Sequence, residues 1–309
     1  MIKLFIDGAA GTTGLEIRDR ISGRSDITLV TVEEARRKDP AARAEALNSA
    51  DAVILCLPDD AAREAVSLIE NPTTRVIDAS TAYRTHPDWA YGFPELDNNR
   101  DKLRTATRIS NPGCYPTGFL ALVRPLVREG ILPADLALSV NATSGYSGGG
   151  KAMIASFEQA DAPDATDTAF RIYGLALGHK HVPEMQGHAG LVHPPIFQPA
   201  VARTYRGMLV EVPLHLHMLN GKVADIRAAL ADSYAGSRVV RVDTGTHSQL
   251  TLEHCAGTDR LELFVFANEN AGQVRLVAAL DNLGKGAGGA AVQNLNIAMG
   301  VDEAVGLIL

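Results

Sequence analysis

The sequence predicts a two-domain α/β protein: a parallel-sheet domain over roughly the first third, then an α+β domain built on a mixed or antiparallel sheet. Three observations support this. Short apolar strands alternate with helical stretches up to about residue 110. A three-glycine loop directly follows the first strand. After Cys114 the apolar runs lengthen, and helices become the exception. The length of 309 residues suits about two domains.

The elements follow in order. Lys3–Asp7 is a short apolar run ending in glycine, a strand, and 13–22 carries apolar residues at helical spacing. Ile27–Val32 reads as a strand and 41–49 as a helix. Ala52–Leu57 is a continuous apolar run, as for a strand covered on both faces. A helix over 60–69 and a strand over Arg75–Ala79 complete the alternation, which implies right-handed crossovers. After Cys114 comes a long apolar helix that Pro125 should kink or shorten. Strands are then expected at Ala137–Ala142, Gly207–His217, Val239–Val242, Leu261–Asn268 and Gln273–Leu280, with a weaker one at Gln249–His254. Helices are expected near 151–159 and 223–234. The acidic stretch 160–168 reads as a surface loop, and 284–297 as a glycine-rich turn leading into a helix. The expected domains are 1–113, 114–285 and a last helix, 286–309, returning to the first domain.

Composition excludes several classes. Twenty-nine Lys and Arg against 36 Asp and Glu leave a net charge of −7, unsuited to broad phosphate-driven binding of nucleic acid. No apolar run approaches the roughly 18–20 residues that span a bilayer, and the first residues lack a signal-peptide core. Three scattered cysteines, Cys56, Cys114 and Cys255, make a disulfide framework unexpected and point to a reducing, cytoplasmic setting.

Gly8, Gly11 and Gly14 form G-x-x-G-x-x-G with Thr12 and Thr13, between a strand and a helix. Glycine lets a pyrophosphate approach the backbone, and the helix mouth supplies open N–H groups. The base preference stays open at this level: Glu33 and Glu34 suit the ribose hydroxyls of NAD, whereas Arg36, Arg37 and Lys38 suit a 2′-phosphate. Ser80 and Arg84, in Asp78-Ala79-Ser80-Thr81-Ala82-Tyr83-Arg84, follow a parallel strand, where open sheets bind ligands. Ser80 is expected to touch cofactor, and Arg84 a phosphate or carboxylate.

Ser110-Asn111-Pro112-Gly113-Cys114-Tyr115-Pro116-Thr117 places Cys114 at a helix start, which favours a thiolate and offers N–H groups to an oxyanion. Asn111 is a candidate substrate contact. Cys56, in an apolar strand, and Cys255 read as structural. His179 and His181, in Gly178-His179-Lys180-His181-Val182-Pro183-Glu184, would share one face if extended; one of them is expected to be the acid/base. A metal site there, with His188 and His193, is disfavoured, because the spacing fits no closed pattern. His215, His217, His247 and His254 show no evident partners. Ser144, Tyr146, Ser147 and Lys151, in SGYSGGGK, could bind an anionic substrate.

Together LFIDGAAGTTGLEIRDR, ILCLPDDAAREAV, DASTAYR, NPGCYPTG, SGYSGGGK, HKHVPEM, LELFVF and DNLGKGAGGAAVQN make the chain resemble the N-acetyl-γ-glutamyl-phosphate reductases, in their shorter second type, over essentially its whole length. The resemblance implies a Rossmann domain and a substrate domain of the semialdehyde and glyceraldehyde-3-phosphate dehydrogenase kind. It implies NADP(H), which tilts the base preference toward Arg36 and Arg37, and it places Asn282 and Gly284 near the nicotinamide. It implies Cys114 as nucleophile, His179 and His181 as the paired histidines with His179 the preferred acid/base, and a homodimer or homotetramer in the cytoplasm. The nearest rival is another acyl-phosphate reductase, such as aspartate-semialdehyde dehydrogenase. A non-catalytic dinucleotide sensor is the rival of another class, and it would not need Cys114.

Overall fold

The computed structural model describes residues 1–36 and 39–309. It contains two compact units. The first comprises Met1–Pro94, Asn98–Pro112 and Ala287–Leu307; the second comprises Glu95–Asp97, Gly113–Gly286 and Ile308–Leu309. The first unit thus lends Glu95–Asp97 and the last two residues to the second.

The first unit is a six-stranded, all-parallel sheet. Its strands are β1 (Ile2–Asp7), β2 (Ile27–Val30), β3 (Ala52–Leu55), β4 (Arg75–Asp78), β5 (Ala90–Tyr91) and β6 (Arg108–Ser110), in the order β2-β1-β3-β4-β6-β5. Its helices are α1 (Thr12–Ile21), α2 (Pro40–Ser49), α3 (Asp59–Ser67), α4 (Arg100–Thr105) and α9 (Gly289–Ala298). Strand alternation divides the core in two. Leu4, Ile6, Ile54 and Ile77 point to one face, with Ile17 of α1 and Val292 and Leu295 of α9. Phe5, Val53, Leu55 and Val76 point to the other, with Leu47 of α2 and Ala62 and Ala65 of α3. Both faces are covered, which is why these strands read as unbroken apolar runs.

The second unit is a seven-stranded mixed sheet. Its strands are β7 (Ser139–Gly145), β8 (Phe170–Ile172), β9 (Ile196–Ala202), β10 (Met208–His215), β11 (Val240–Val242), β12 (Leu261–Asn268) and β13 (Gln273–Leu280), in the order β11-β12-β13-β10-β7-β9-β8. β10, β12 and β13 pair antiparallel, whereas β7 and β9 run parallel. Its helices are α5 (Cys114–Arg128), α6 (Gly150–Glu158), α7 (Val182–Ala189) and α8 (Val223–Ser233). Gln249–His254 forms turns instead of the expected strand. His179–His181 is a turn leading into α7, not an extended segment. No helix among the described residues is long and apolar enough to cross a membrane.

The helix α5 passes through Pro125 without ending. Proline has no N–H for the carbonyl four residues earlier, that of Ala121. The buried Tyr234 hydroxyl donates to that oxygen at 2.8 Å. Burial, and secondarily the Glu95 carboxylate, push the Tyr234 phenol well above its usual range, so it remains a donor at ordinary pH. A side chain after α8 thus supplies the bond that the proline removes.

Candidate active site

Asn111-Pro112-Gly113 is extended and Cys114 begins α5. Gly113 is the N-cap (φ −72°, ψ 151°), and Pro116 lies in the first turn, where its missing N–H costs nothing. The Thr117 hydroxyl donates to Gly113 O at 2.9 Å, closing the turn. Gly113 N–H donates to Glu184 Oε1 at 2.8 Å, and the Glu184 side chain is fully buried. A carboxylate of α7 therefore grips the residue immediately before the cysteine. Gly286 packs on the other side: a Cβ there would lie 2.9 Å from Cys114 Cβ, so only glycine allows this approach.

The turn before α7 brings the paired histidines together. Their ring centroids are 4.7 Å apart, and the His181 backbone N–H donates to His179 Nδ1 at 3.2 Å. An accepting Nδ1 leaves the neutral His179 ring with its proton on Nε2. Both rings stand against Tyr115, the neighbour of Cys114, at 6.4 Å for His179 and 5.8 Å for His181. Phe197 of β9 backs His179 at 5.0 Å. The Tyr173 hydroxyl donates to the Tyr115 hydroxyl at 3.0 Å, and burial pushes the Tyr173 phenol up to about 12. Burial, with Lys180 beside it, lowers the His179 pKa below its usual 6.5. His179 is thus a neutral imidazole at pH 7, able to accept a proton, beside the residue that adjoins the thiol.

The other candidates of this unit are distributed. The buried Ser144 hydroxyl donates to Gly145 O at 2.9 Å, and Asn282 Nδ2 donates to Ser147 Oγ at 2.8 Å. Asn282 Oδ1 in turn accepts from Gly207 N at 2.9 Å, so Asn282 ties the loop after β7 to the start of β10. Gly284 opens a wide π-type turn, Gly284–Gly288. Tyr146 turns to Glu158, its hydroxyl 2.9 Å from Oε1, and stacks on Phe157. Lys151 is exposed on the first turn of α6. Asn282 and Gly284 belong to the second unit, as does the buried pair Lys285–Glu95 at 2.8 Å. Sequence reasoning missed that pair, along with Glu184 and the tyrosine pair. His247 and His254, which it left without partners, bond to Asp243 at 2.8 Å and Glu262 at 2.7 Å. Burial pushes the thiols of Cys255 and Cys56 up to about 12, which suits inert, protonated side chains.

In the first unit the glycine loop is shaped by close contact. Gly8 has φ +86°, and a Cβ there would lie 2.3 Å from Cys56 O; one on Gly14 would lie 2.7 Å from Gly8 O. Gly11 is the N-cap of α1 and, having no side chain, does not cap the N–H groups that follow, including those of Thr12 and Thr13. Beside the loop, at the carboxyl ends of β1 and β2, lies a cavity of about 470 Å³, lined by Gly8, Ala9, Ala10, Leu29–Val32 and Leu57. A glycine turn, a helix mouth with no side-chain N-cap and an adjoining cavity fit a dinucleotide. Ser80 Oγ donates to Asp78 Oδ2 at 2.6 Å, and burial raises the pKa of that carboxyl. Arg84 is buried and braces backbone instead of facing solvent: Nε donates to Asn111 O at 3.0 Å and Nη2 to Ala79 O at 3.1 Å. Asn111 donates to Ala287 O at 3.1 Å and accepts from Asn294 at 3.0 Å. Arg36 is exposed at the end of the turn Glu34–Arg36 and pairs with Asp39 at 3.2 Å. Arg37 and Lys38 lie outside the described residues.

Comparison with known proteins gives the family and the fold. Residues 3–106 match the family model for the semialdehyde dehydrogenase NAD-binding domain, and 114–282 match that for the semialdehyde dehydrogenase dimerisation domain. The chain is 52% identical over 320 residues to an N-acetyl-γ-glutamyl-phosphate reductase of Trichormus variabilis, covering 99% of both chains. It is 52% identical over 306 residues to one of Brucella ovis, covering 96% of this chain and 99% of the relative. Among solved structures it is similar to aspartate semialdehyde dehydrogenase II of Vibrio cholerae, with a TM-score of 0.72 at 16% identity over 97% of this chain and 98% of that one. That likeness extends to the fold alone.

Proposed function

Since the chain belongs to the N-acetyl-γ-glutamyl-phosphate reductase family, we propose that it reduces N-acetyl-γ-glutamyl phosphate to N-acetylglutamate semialdehyde and phosphate with NADPH, a cytoplasmic step of arginine biosynthesis. The observation that carries this reading is Cys114 at the mouth of α5, its turn gripped by Glu184 and its neighbour Tyr115 flanked by two histidines.

The chemistry follows from these residues. The Cys114 thiolate attacks the acyl carbon, a C–S bond forms, and the C–O bond to phosphate breaks with its electron pair leaving on phosphate. The product is a thioester on the enzyme. NADP(H), when bound at the glycine loop, supplies or accepts the hydride at this carbon. The N–H groups at the start of α5, where Cys114 lies, stabilise negative charge on the acyl oxygen. Collapse of the tetrahedral adduct releases the aldehyde and returns the thiolate. In the opposite direction a neutral His179 takes the proton from the thiol or the adduct hydroxyl. Glu184 and Tyr173 act through others: the first sets the Gly113 turn, and the second, through Tyr115, sets the wall against which His179 stands.

The dimerisation-domain match supports self-association, and we place the enzyme as a homodimer or homotetramer. The test is phosphate-dependent reduction of NADP+ by N-acetylglutamate semialdehyde. The reading expects turnover that requires phosphate and is not supported by aspartate semialdehyde. Equal turnover of both aldehydes, or turnover without phosphate, would overturn it.

A further inference from the structure

The cavity beside the glycine loop carries a charge pattern that the loop does not explain. Among the described residues its lining holds two charged side chains, Asp7 and Arg18. Asp7 ends β1 and is buried, and its Oδ2 accepts from Arg43 Nη2 at 2.9 Å and Nε at 3.3 Å. The helix α2 therefore cancels that charge. Arg18 projects from α1, is exposed, and makes no ion pair among the described residues. Among the described residues the end of β2, which in this fold class faces the adenosine ribose, contributes Leu29, Val30, Thr31 and Val32 and no carboxylate. Arg36, the cation expected there from sequence, is absent from the lining and pairs with Asp39. Among the described residues of the lining, the Arg18 guanidinium is thus the one uncompensated charge.

We propose that Arg18 binds the 2′-phosphate on the adenosine ribose and makes this site select the 2′-phosphorylated dinucleotide. The proposal rests on the reading that this cavity holds the dinucleotide, and adds the residue that discriminates between its two forms. A guanidinium presents a planar fork of donors that matches phosphate oxygens. Thr31 lines the same cavity and offers a hydroxyl. A carboxylate at the end of β2 would bond the ribose hydroxyls and repel a phosphate; none of the described residues at that end of the lining supplies one. The mouth of α1 serves the pyrophosphate in either dinucleotide, so it cannot distinguish them.

The test is calorimetric titration of the full chain with 2′,5′-ADP and with 5′-AMP, in the unaltered protein and in Arg18→Ala, Arg18→Lys and Arg36→Ala. The unaltered protein should prefer 2′,5′-ADP. Arg18→Ala should weaken 2′,5′-ADP by about 10- to 100-fold, the range for loss of charge-assisted hydrogen bonds, and should move 5′-AMP by less than about 2-fold. Retained 5′-AMP binding also shows that the variant is folded. Arg18→Lys should recover part of the loss, since charge returns without the fork. Equal weakening of both ligands in Arg18→Ala would overturn the proposal, as would a loss carried by Arg36→Ala instead, while leaving the dinucleotide site intact. An unaltered protein that binds neither ligand would overturn the dinucleotide reading itself.

Discussion

The bond between Tyr234 and the proline-broken rung of α5 can be tested by a double-mutant cycle. Tyr234→Phe keeps the buried ring and removes the hydroxyl that donates to Ala121 O at 2.8 Å. The carbonyl then stays buried without the donor that Pro125 cannot supply. Leaving such an acceptor unsatisfied costs about 1–3 kcal/mol. For a unit of this size, 1 kcal/mol moves the melting temperature by about 2–4 °C. At about 1–3 kcal/mol the variant should therefore melt about 2–12 °C lower. Pro125→Ala restores an N–H at position 125, directed at the same carbonyl. In that background Tyr234→Phe should cost less than about 0.5 kcal/mol, because the oxygen keeps a partner. The two substitutions would then couple by about 1 kcal/mol or more. Urea unfolding of the four proteins, followed by circular dichroism, measures the coupling. An equal loss from Tyr234→Phe in both backgrounds would refute the reasoning and leave the hydroxyl as an ordinary packing group.

Three further outcomes follow from the site. Glu184→Ala should lower kcat by at least about 10-fold, whereas Glu184→Gln, which keeps an oxygen acceptor for Gly113 N–H, should retain more activity; equal kcat in the two variants would show that the grip on the cysteine turn does not matter. Burial and Lys180 depress the His179 pKa below that of an ordinary imidazole, so the ring stays neutral to lower pH than a free histidine would. The rate of aldehyde oxidation should therefore fall only on the acid side of an ordinary imidazole titration, and that acid limb should disappear in His179→Ala but not in His181→Ala; the reverse pattern would give the proton transfer to His181. Gly14→Ala puts a methyl 2.7 Å from Gly8 O and Ala9 Cα, both backbone atoms. Dinucleotide binding measured by fluorescence should weaken by at least about 10-fold, since the loop itself must shift; unchanged binding would place the pyrophosphate elsewhere.

What the sequence discloses follows from where each signal resides. β3 was legible because a strand covered on both faces must be apolar throughout. β5 and β6, at two and three residues, are too short to show any period, and they escaped notice. The alternation of His179 and His181 suggested a strand, but Pro183 occupies the first turn of an eight-residue helix and Gly190 ends it at φ +77°. Those two residues were the readable signals, and a helix that short leaves little else. The cysteine at a helix start was legible because proline and glycine shape the turn locally. Its anchor was not, for Glu184 lies 71 residues from Gly113 and nothing local marks a carboxylate that will accept a distant N–H. The same holds for Tyr173 and Tyr115, 58 residues apart. Pro125 announced a defect in α5, while its remedy came from Tyr234, 113 residues beyond Ala121. The cations after β2 suggest a phosphate ligand in Arg36. Asp39, the N-cap residue of α2, accepts from both Ala41 N and Arg36, a pair that local sequence could have suggested.

The central claim is a covalent acyl group on Cys114, and intact-protein mass spectrometry tests it most directly. Mixed with N-acetyl-γ-glutamyl phosphate in the absence of reduced cofactor, the protein should gain the mass of one N-acetylglutamyl group. Peptide mapping should locate it on Cys114, Cys114→Ser should not turn over, and NADPH should clear the adduct from the unaltered protein. An adduct mapped to another residue, or turnover persisting in Cys114→Ser, would contradict the account.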